Sequence, residues 1–182
     1  MKDKRTIEIT KVNLLGLLFL PVLSIFFIAY FYIWKFPNFD AYIDSPLRLF
    51  YLVLLALFSI FIHELIHAIF FAAFSENGWC DVKIGILWRK LTPYAHCRKP
   101  LLVFQYRIAL LMPGIILGLV PMIAGMVFGK FFTFFFGAFM LFSAGGDIII
   151  YLLSLKIPKN KLLLDHPTEC GFYIIDKKEN HD

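Results

Sequence analysis

The chain has 182 residues, of which 60% are hydrophobic, 18% aromatic and only 17% charged, well short of the roughly 25% charged residues of a soluble domain. That balance excludes an ordinary water-soluble fold. The net charge of +5 is concentrated between apolar blocks, so it reads as a topology signal and not as a nucleic-acid-binding surface.

Four stretches of about 20 residues or more, at 12–34, 47–74, 108–128 and 131–155, are almost free of charge, and each is long enough for a hydrocarbon core about 30 Å thick. The first follows Lys2, Lys4 and Arg5 but is too long for a signal-peptide core, so it is read as a retained span with a kink at Pro21. In the loop 35–46, Asp44 or Ser45 precedes Pro46, the pattern of an N-cap followed by proline in the first turn. Span two then runs to Phe74 and ends at Ser75, Glu76, Asn77 and Gly78.

Between spans two and three, Val82, Ile84, Ile86 and Trp88 alternate with Lys83, Gly85 and Leu87, and Arg89 and Lys90 mark a turn before a second extended piece. This predicts a β-hairpin at about 80–98 lying on the membrane surface. Span three carries Pro113, Gly114, Gly118 and Pro121, which predicts a kinked helix with a GxxxG contact face. Span four carries Ser143, Ala144, Gly145 and Gly146 at its middle, where another helix is expected to approach. The tail at 165–173 is expected to fold back against the membrane face.

Lys and Arg cluster at the N-terminus, between spans two and three, and in the tail. Positively charged segments stay in the cytoplasm, so the expected topology is four spans with both termini cytoplasmic. Residues 1–182 then form a single integral membrane domain: an all-α fold of four transmembrane helices with one small cytoplasmic hairpin. Cys80, Cys97 and Cys170 are odd in number and match no CxxC spacing, so neither a disulfide framework nor a cysteine metal site is expected.

Span two contains His63-Glu64-Leu65-Ile66-His67, an HExxH motif. Residues four apart on a helix differ by about 40° in direction, so both imidazoles reach one metal ion, and Glu64 stands one step round to take a proton from metal-bound water. Three ionisable side chains in hydrocarbon cost several kcal/mol unless ligated or paired, which argues against a structural accident. A catalytic zinc takes a third protein ligand, and the metzincin continuation is absent, with Phe70 and Ala73 in its place. Asp147 is the one acid deep in another span. His67 lies nine residues before Glu76 and Asp147 nine before Lys156, so both sit about 14 Å from their helix ends. The competing role for Asp147 is a structural carboxylate that pairs with Arg107 or caps a broken helix. His96 and His166 are candidates for a third ligand or for substrate and transition-state contacts, against the ordinary expectation of solvated histidines. Asp165, beside His166, is a turn cap or a site residue, and His181 is expected to be solvated.

With Tyr94-Ala95-His96-Cys97, Met112-Pro113-Gly114, Ser143-Ala144-Gly145-Gly146-Asp147 and Asp165-His166-Pro167, these residues resemble the site-2 protease class of intramembrane zinc metalloproteases. They resemble more closely a small family of zincin-type peptidases of bacterial membranes. The resemblance implies that Zn2+ is bound by His63, His67 and Asp147, that Glu64 is the general base, and that a zinc-activated water cleaves a membrane protein or peptide substrate. Asp147 would take the place of the aspartate in that class's Leu-Asp-Gly motif, although Gly146 and Ile148 flank it here. The hairpin would align an unwound substrate strand by edge pairing. A bacterial cell-membrane location follows, and the lipid bilayer is the expected surrounding. The alternative function is a non-proteolytic membrane scaffold or adaptor whose zinc site is structural or degenerate.

Overall fold

The computed structural model describes residues 3–37, 45–88, 92–166 and 169–176. The expected loop acids Asp40 and Asp44, the turn at Arg89 and Lys90, Pro167 and His181 lie outside the described residues.

The chain opens with strand β1 (Asp3–Ile7), then helices α1 (Ile9–Gly16), α2 (Phe19–Trp34) and α3 (Pro46–Phe74). Strands β2 (Val82–Leu87), β3 (Thr92–Cys97) and β4 (Leu101–Leu102) follow. Helix α4 (Val103–Pro113) continues through a π-helical segment (Gly114–Leu119) into α5 (Val120–Phe128). Helices α6 (Phe131–Ser143) and α7 (Gly145–Ser154) and strands β5 (Lys161–Asp165) and β6 (Cys170–Asp176) complete it. Among the described residues, three helices are long and apolar enough to cross a membrane, Thr10–Trp34, Pro46–Phe74 and Val103–Phe128; the α6–α7 pair, bent by 48°, makes a fourth if it counts as one span.

The departures from regular helix have local causes. Between α1 and α2 the backbone tightens, with Leu17 N–H on Leu14 carbonyl and Leu18 N–H on Leu15 carbonyl. Pro21 offers no N–H to Leu17 and its ring crowds that carbonyl, so the disturbance lies four residues before the proline. Helix α3 starts as its sequence predicts: Ser45 Oγ accepts from Arg48 N–H at 3.3 Å, with Pro46 in the first turn. The third span starts at Val103 and not at 108, because Leu102 N–H donates to Gln105 Oε1 at 3.0 Å and caps an earlier turn. Arg107 therefore sits inside the helix.

Glycine sets the closeness of the helices. A Cβ on Gly118 would stand 2.9 Å from the Leu141 backbone, one on Gly125 2.2 Å from Phe134 N, and one on Gly137 2.2 Å from Met122 N. Helices α5 and α6 thus meet backbone to backbone, joined through Gly129 in the left-handed conformation at φ 64°. The small residues 144–146 also receive neighbours: Ala144 meets Gly114, while Gly145 and Gly146 face Phe19 and Val12.

The all-α expectation needs correction. Strands β2 and β3 pair antiparallel, Val82 opposite Cys97 and Leu87 opposite Thr92, but a second, four-stranded antiparallel sheet in the order β1-β6-β5-β4 was not anticipated. It joins β1 near the start of the chain to β6 near its end, Lys4 opposite Tyr173 and Thr6 opposite Gly171, and of the tail at 165–173 it includes Asp165 and 170–173. Sheet and helices share a core of Phe71, Cys97, Leu101, Tyr106, Leu163 and Phe172, and this core lies directly behind the C-terminal half of α3.

Candidate metal centre

The buried residues of α3 are Ser59, His63, Ile66, His67, Ala68, Phe71 and Ala72. They lie three and four apart, one stripe facing the protein while the N-terminal half of the helix stays exposed. His63 and His67 fall on that stripe, with ring centroids 4.9 Å apart. The 48° bend between α6 and α7 places Asp147, in the first turn of α7, opposite them. His63 Nε2 lies 3.0 Å and His67 Nε2 3.4 Å from the same oxygen, Asp147 Oδ2. The ligand atoms of His63, His67 and Asp147 all lie within 4.8 Å of one another.

This donor set fits zinc. Two imidazole nitrogens and one carboxylate oxygen are hard-to-borderline donors of the kind that hold catalytic zinc with a position left open. His67 Nδ1 sits 2.8 Å from the Ala109 carbonyl of α4, which assigns the ring proton to Nδ1 and leaves Nε2 as the lone-pair nitrogen aimed at Asp147. His63 Nδ1 is buried and has no partner among the described residues.

Glu64 points one step round the helix, and its Oε2 accepts from Ala95 N–H of β3 at 2.8 Å. Ala95 is opposite Ile84 in the β2–β3 ladder, and an N–H turned toward Glu64 marks this as a non-hydrogen-bonded pair whose backbone groups point away from β2. Beside Glu64 opens a cleft of about 630 Å³, bordered by Gly16 of α1, Ile60 and His63 of α3, Pro93 of β3, Phe142 of α6 and Cys170 of β6.

The other candidates are placed elsewhere. Arg107 donates to Ser154 Oγ at 3.0 Å and to the Ser154 and Ile157 carbonyls, so it caps α7 and does not pair with Asp147. His96 Nδ1 lies 2.9 Å from Asp165 Oδ2, and the buried Tyr106 hydroxyl donates to Asp165 Oδ1 at 2.9 Å. This His96–Asp165–Tyr106 chain links β3, β5 and α4 but does not border the cleft. His166 Nδ1 accepts from Glu169 N–H at 2.9 Å in the turn before β6. Neither histidine joins the three-residue group. Sequence reasoning missed the Ala95 amide and the Ala109 carbonyl, since backbone groups leave no trace in residue identity. Tyr106 lies ahead of the expected start of span three at 108 and had no expected role.

Outside the spans, the Ser75 hydroxyl and Asn77 hold the Asp81 carboxyl below its ordinary range, tying off the end of α3. Burial pushes the Cys97 thiol up, which keeps it protonated and unreactive in the core.

Residues 56–162 match the family model described as "Putative zincin peptidase". No curated protein and no solved structure matches the chain.

Proposed function

Because the chain belongs to the zincin peptidase family, we propose that it is an intramembrane zinc metallopeptidase of site-2 protease type, cleaving membrane-embedded or membrane-adjacent peptides. The observation that carries this reading is the meeting of His63 and His67 from α3 with Asp147 from α7, on helices apolar enough to span a bilayer, with Glu64 at the cleft beside them. His63, His67 and Asp147 would hold the zinc. The ion would polarise the scissile carbonyl and make water a competent nucleophile at neutral pH.

The chain's own residues supply the proton transfers. Ala95 N–H fixes Glu64 Oε2, leaving Oε1 to accept a proton as water adds to the peptide carbonyl. Glu64 then passes that proton to the departing amide nitrogen, so that one water and one peptide bond become a carboxylic acid and an amine, which exchange a proton on release to give carboxylate and ammonium. The Ala109 carbonyl keeps His67 in one tautomer throughout.

Strand β3 supports a way of presenting substrate. Its edge away from β2 borders the cleft at Pro93; Glu64 holds the Ala95 amide there and proline has no N–H, so an unwound substrate segment could add as a further strand only through the β3 carbonyls. A helical substrate must lose local structure before its carbonyl is reached, which favours substrates with weak helical turns. Topology with both termini in the cytoplasm puts this edge on the cytoplasmic side.

The test is cleavage of co-expressed single-span membrane proteins, comparing wild type with Glu64→Gln at equal abundance and equal metal content. Shortened products in wild type alone support the reading. Identical membrane proteomes in the two strains would favour the scaffold alternative.

A further inference from the structure

A second concavity, of about 510 Å³, lies between β1, the α1–α2 junction and α7, and shares no lining residue with the cleft beside Glu64. Its walls are Leu15 of α1 with Leu18 and Phe19 of the α1–α2 junction on one side, and Ile149, Leu152 and Leu153 of α7 on the other. The spacings of three and four place the α7 set along one face of its helix. Two cations, Arg5 of β1 and Lys156 just past the end of α7, also line the groove. The wall from Ile149 to Leu153 runs roughly 6 Å along α7. The groove is thus lined by apolar side chains and two cations, with no acidic side chain among its lining residues.

Each cation has a specific reason to be there. The β pleat sends Lys4 and Thr6 to one face of β1, where both bond Glu169 at 2.8 and 2.6 Å, and so sends Arg5 and Ile7 to the other, into the groove. Lys156 follows the C-terminus of α7, where a cation would ordinarily serve the helix carbonyls. Arg107 already caps those carbonyls, and among the described residues Lys156 has no ion-pair partner. Arg5 has one counter-charge, Asp3, at 3.5 Å, and both are mostly exposed, so a phosphate can compete for the guanidinium.

We propose that this groove binds one anionic phospholipid, its phosphate between Arg5 and Lys156 and an acyl chain along Leu15, Leu18 and Leu152. Basic pockets between membrane helices select anionic headgroups in this way. The same α1 that walls the groove walls the catalytic cleft through Val12 and Gly16, so a lipid seated there braces one side of the cleft. The lipid site rests on the membrane location and not on proteolysis.

The experiment places the full chain in phosphatidylcholine nanodiscs with and without a minor fraction of phosphatidylglycerol. It reads the melting temperature together with the lipid retained in native mass spectrometry. Wild type is expected to melt higher with phosphatidylglycerol and to retain one such lipid. Arg5→Gln/Lys156→Gln should lose affinity by on the order of tenfold or more, while Lys83→Gln/Lys159→Gln, equal in charge change but outside the groove, should keep it. Leu152→Trp fills the groove with both cations intact and should lose retention too, which keeps the test open if the double variant folds poorly. Equal retention of phosphatidylcholine, an equal shift with inorganic phosphate alone, equal loss in the control pair, or retention in Leu152→Trp would each overturn the proposal.

Discussion

The Ala109 carbonyl on His67 Nδ1 and the Ala95 amide on Glu64 Oε2 fix a ring tautomer and a carboxylate rotamer that the HExxH motif leaves free. Under the proposed function His67 serves binding and Glu64 chemistry, and that division is measurable. Glu64→Gln keeps the hydrogen bond to Ala95 and removes only the base, so it is expected to keep zinc while kcat/KM falls about 10²- to 10⁴-fold; a fall in zinc content in the same variant would make Glu64 part of the metal shell. The His96–Asp165–Tyr106 chain predicts a different outcome. Tyr106→Phe leaves Asp165 short of one buried donor, and unfolding stability should fall by about 1–3 kcal/mol with zinc content unchanged. Denaturant titration of the detergent-solubilised protein checks it, and an unchanged midpoint would show the hydroxyl to be dispensable.

At the scale of elements, small residues make two kinds of contact that substitution separates. Gly137 has Met122 N and Gly118 carbonyl within 2.6 Å of any Cβ it might carry, and backbone cannot step aside. Gly137→Ala should therefore cost about 1–3 kcal/mol or more by prising α6 from α5. Gly146 has only Val12 Cγ1 at 3.5 Å, an ordinary contact, so Gly146→Ala should shift the melting temperature little. The elements also show what was legible in the sequence. Spans two and three, the Ser45–Pro46 start of α3 and the GxxxG face were readable, because hydrophobic length, capping chemistry and small-residue spacing are local properties. The terminal sheet was not. In β1 the residues Lys4 and Arg5 look like a topology signal, and their alternation becomes meaningful only beside β6, more than 160 positions away in sequence. Likewise, the small residues around Ala144 looked like a docking patch for a neighbouring helix; they are one, and the 48° bend there also separates α6 from α7 and turns Asp147 toward α3.

Across the whole molecule, the β1–β6 pairing ties both ends of the described chain to the sheet whose core lies behind α3. Glu169 fastens this closure through Lys4, then Thr6, and both hold its carboxyl below the ordinary range. A depressed folded-state value means that the contribution is present above the ordinary carboxylate range and lost as pH falls through the folded value. Amide protection along β1 and β6 is thus expected to drop as pH is lowered below about 4, and Glu169→Gln should flatten that dependence; equal acid sensitivity in the variant would remove Glu169 from the account. The meeting of His63 and His67 with Asp147 was legible from their matched distances to Glu76 and Lys156. His96 joining Asp165 was not, since that contact depends on β3 and β5 meeting beside α4.

The most direct test of the central claim is the zinc content of the purified protein and its variants. One zinc per chain is predicted for wild type and Glu64→Gln, with loss in His63→Ala, His67→Ala and Asp147→Ala and retention in His96→Ala and His166→Ala. Full zinc in Asp147→Ala, or loss in His96→Ala, would contradict the centre described here.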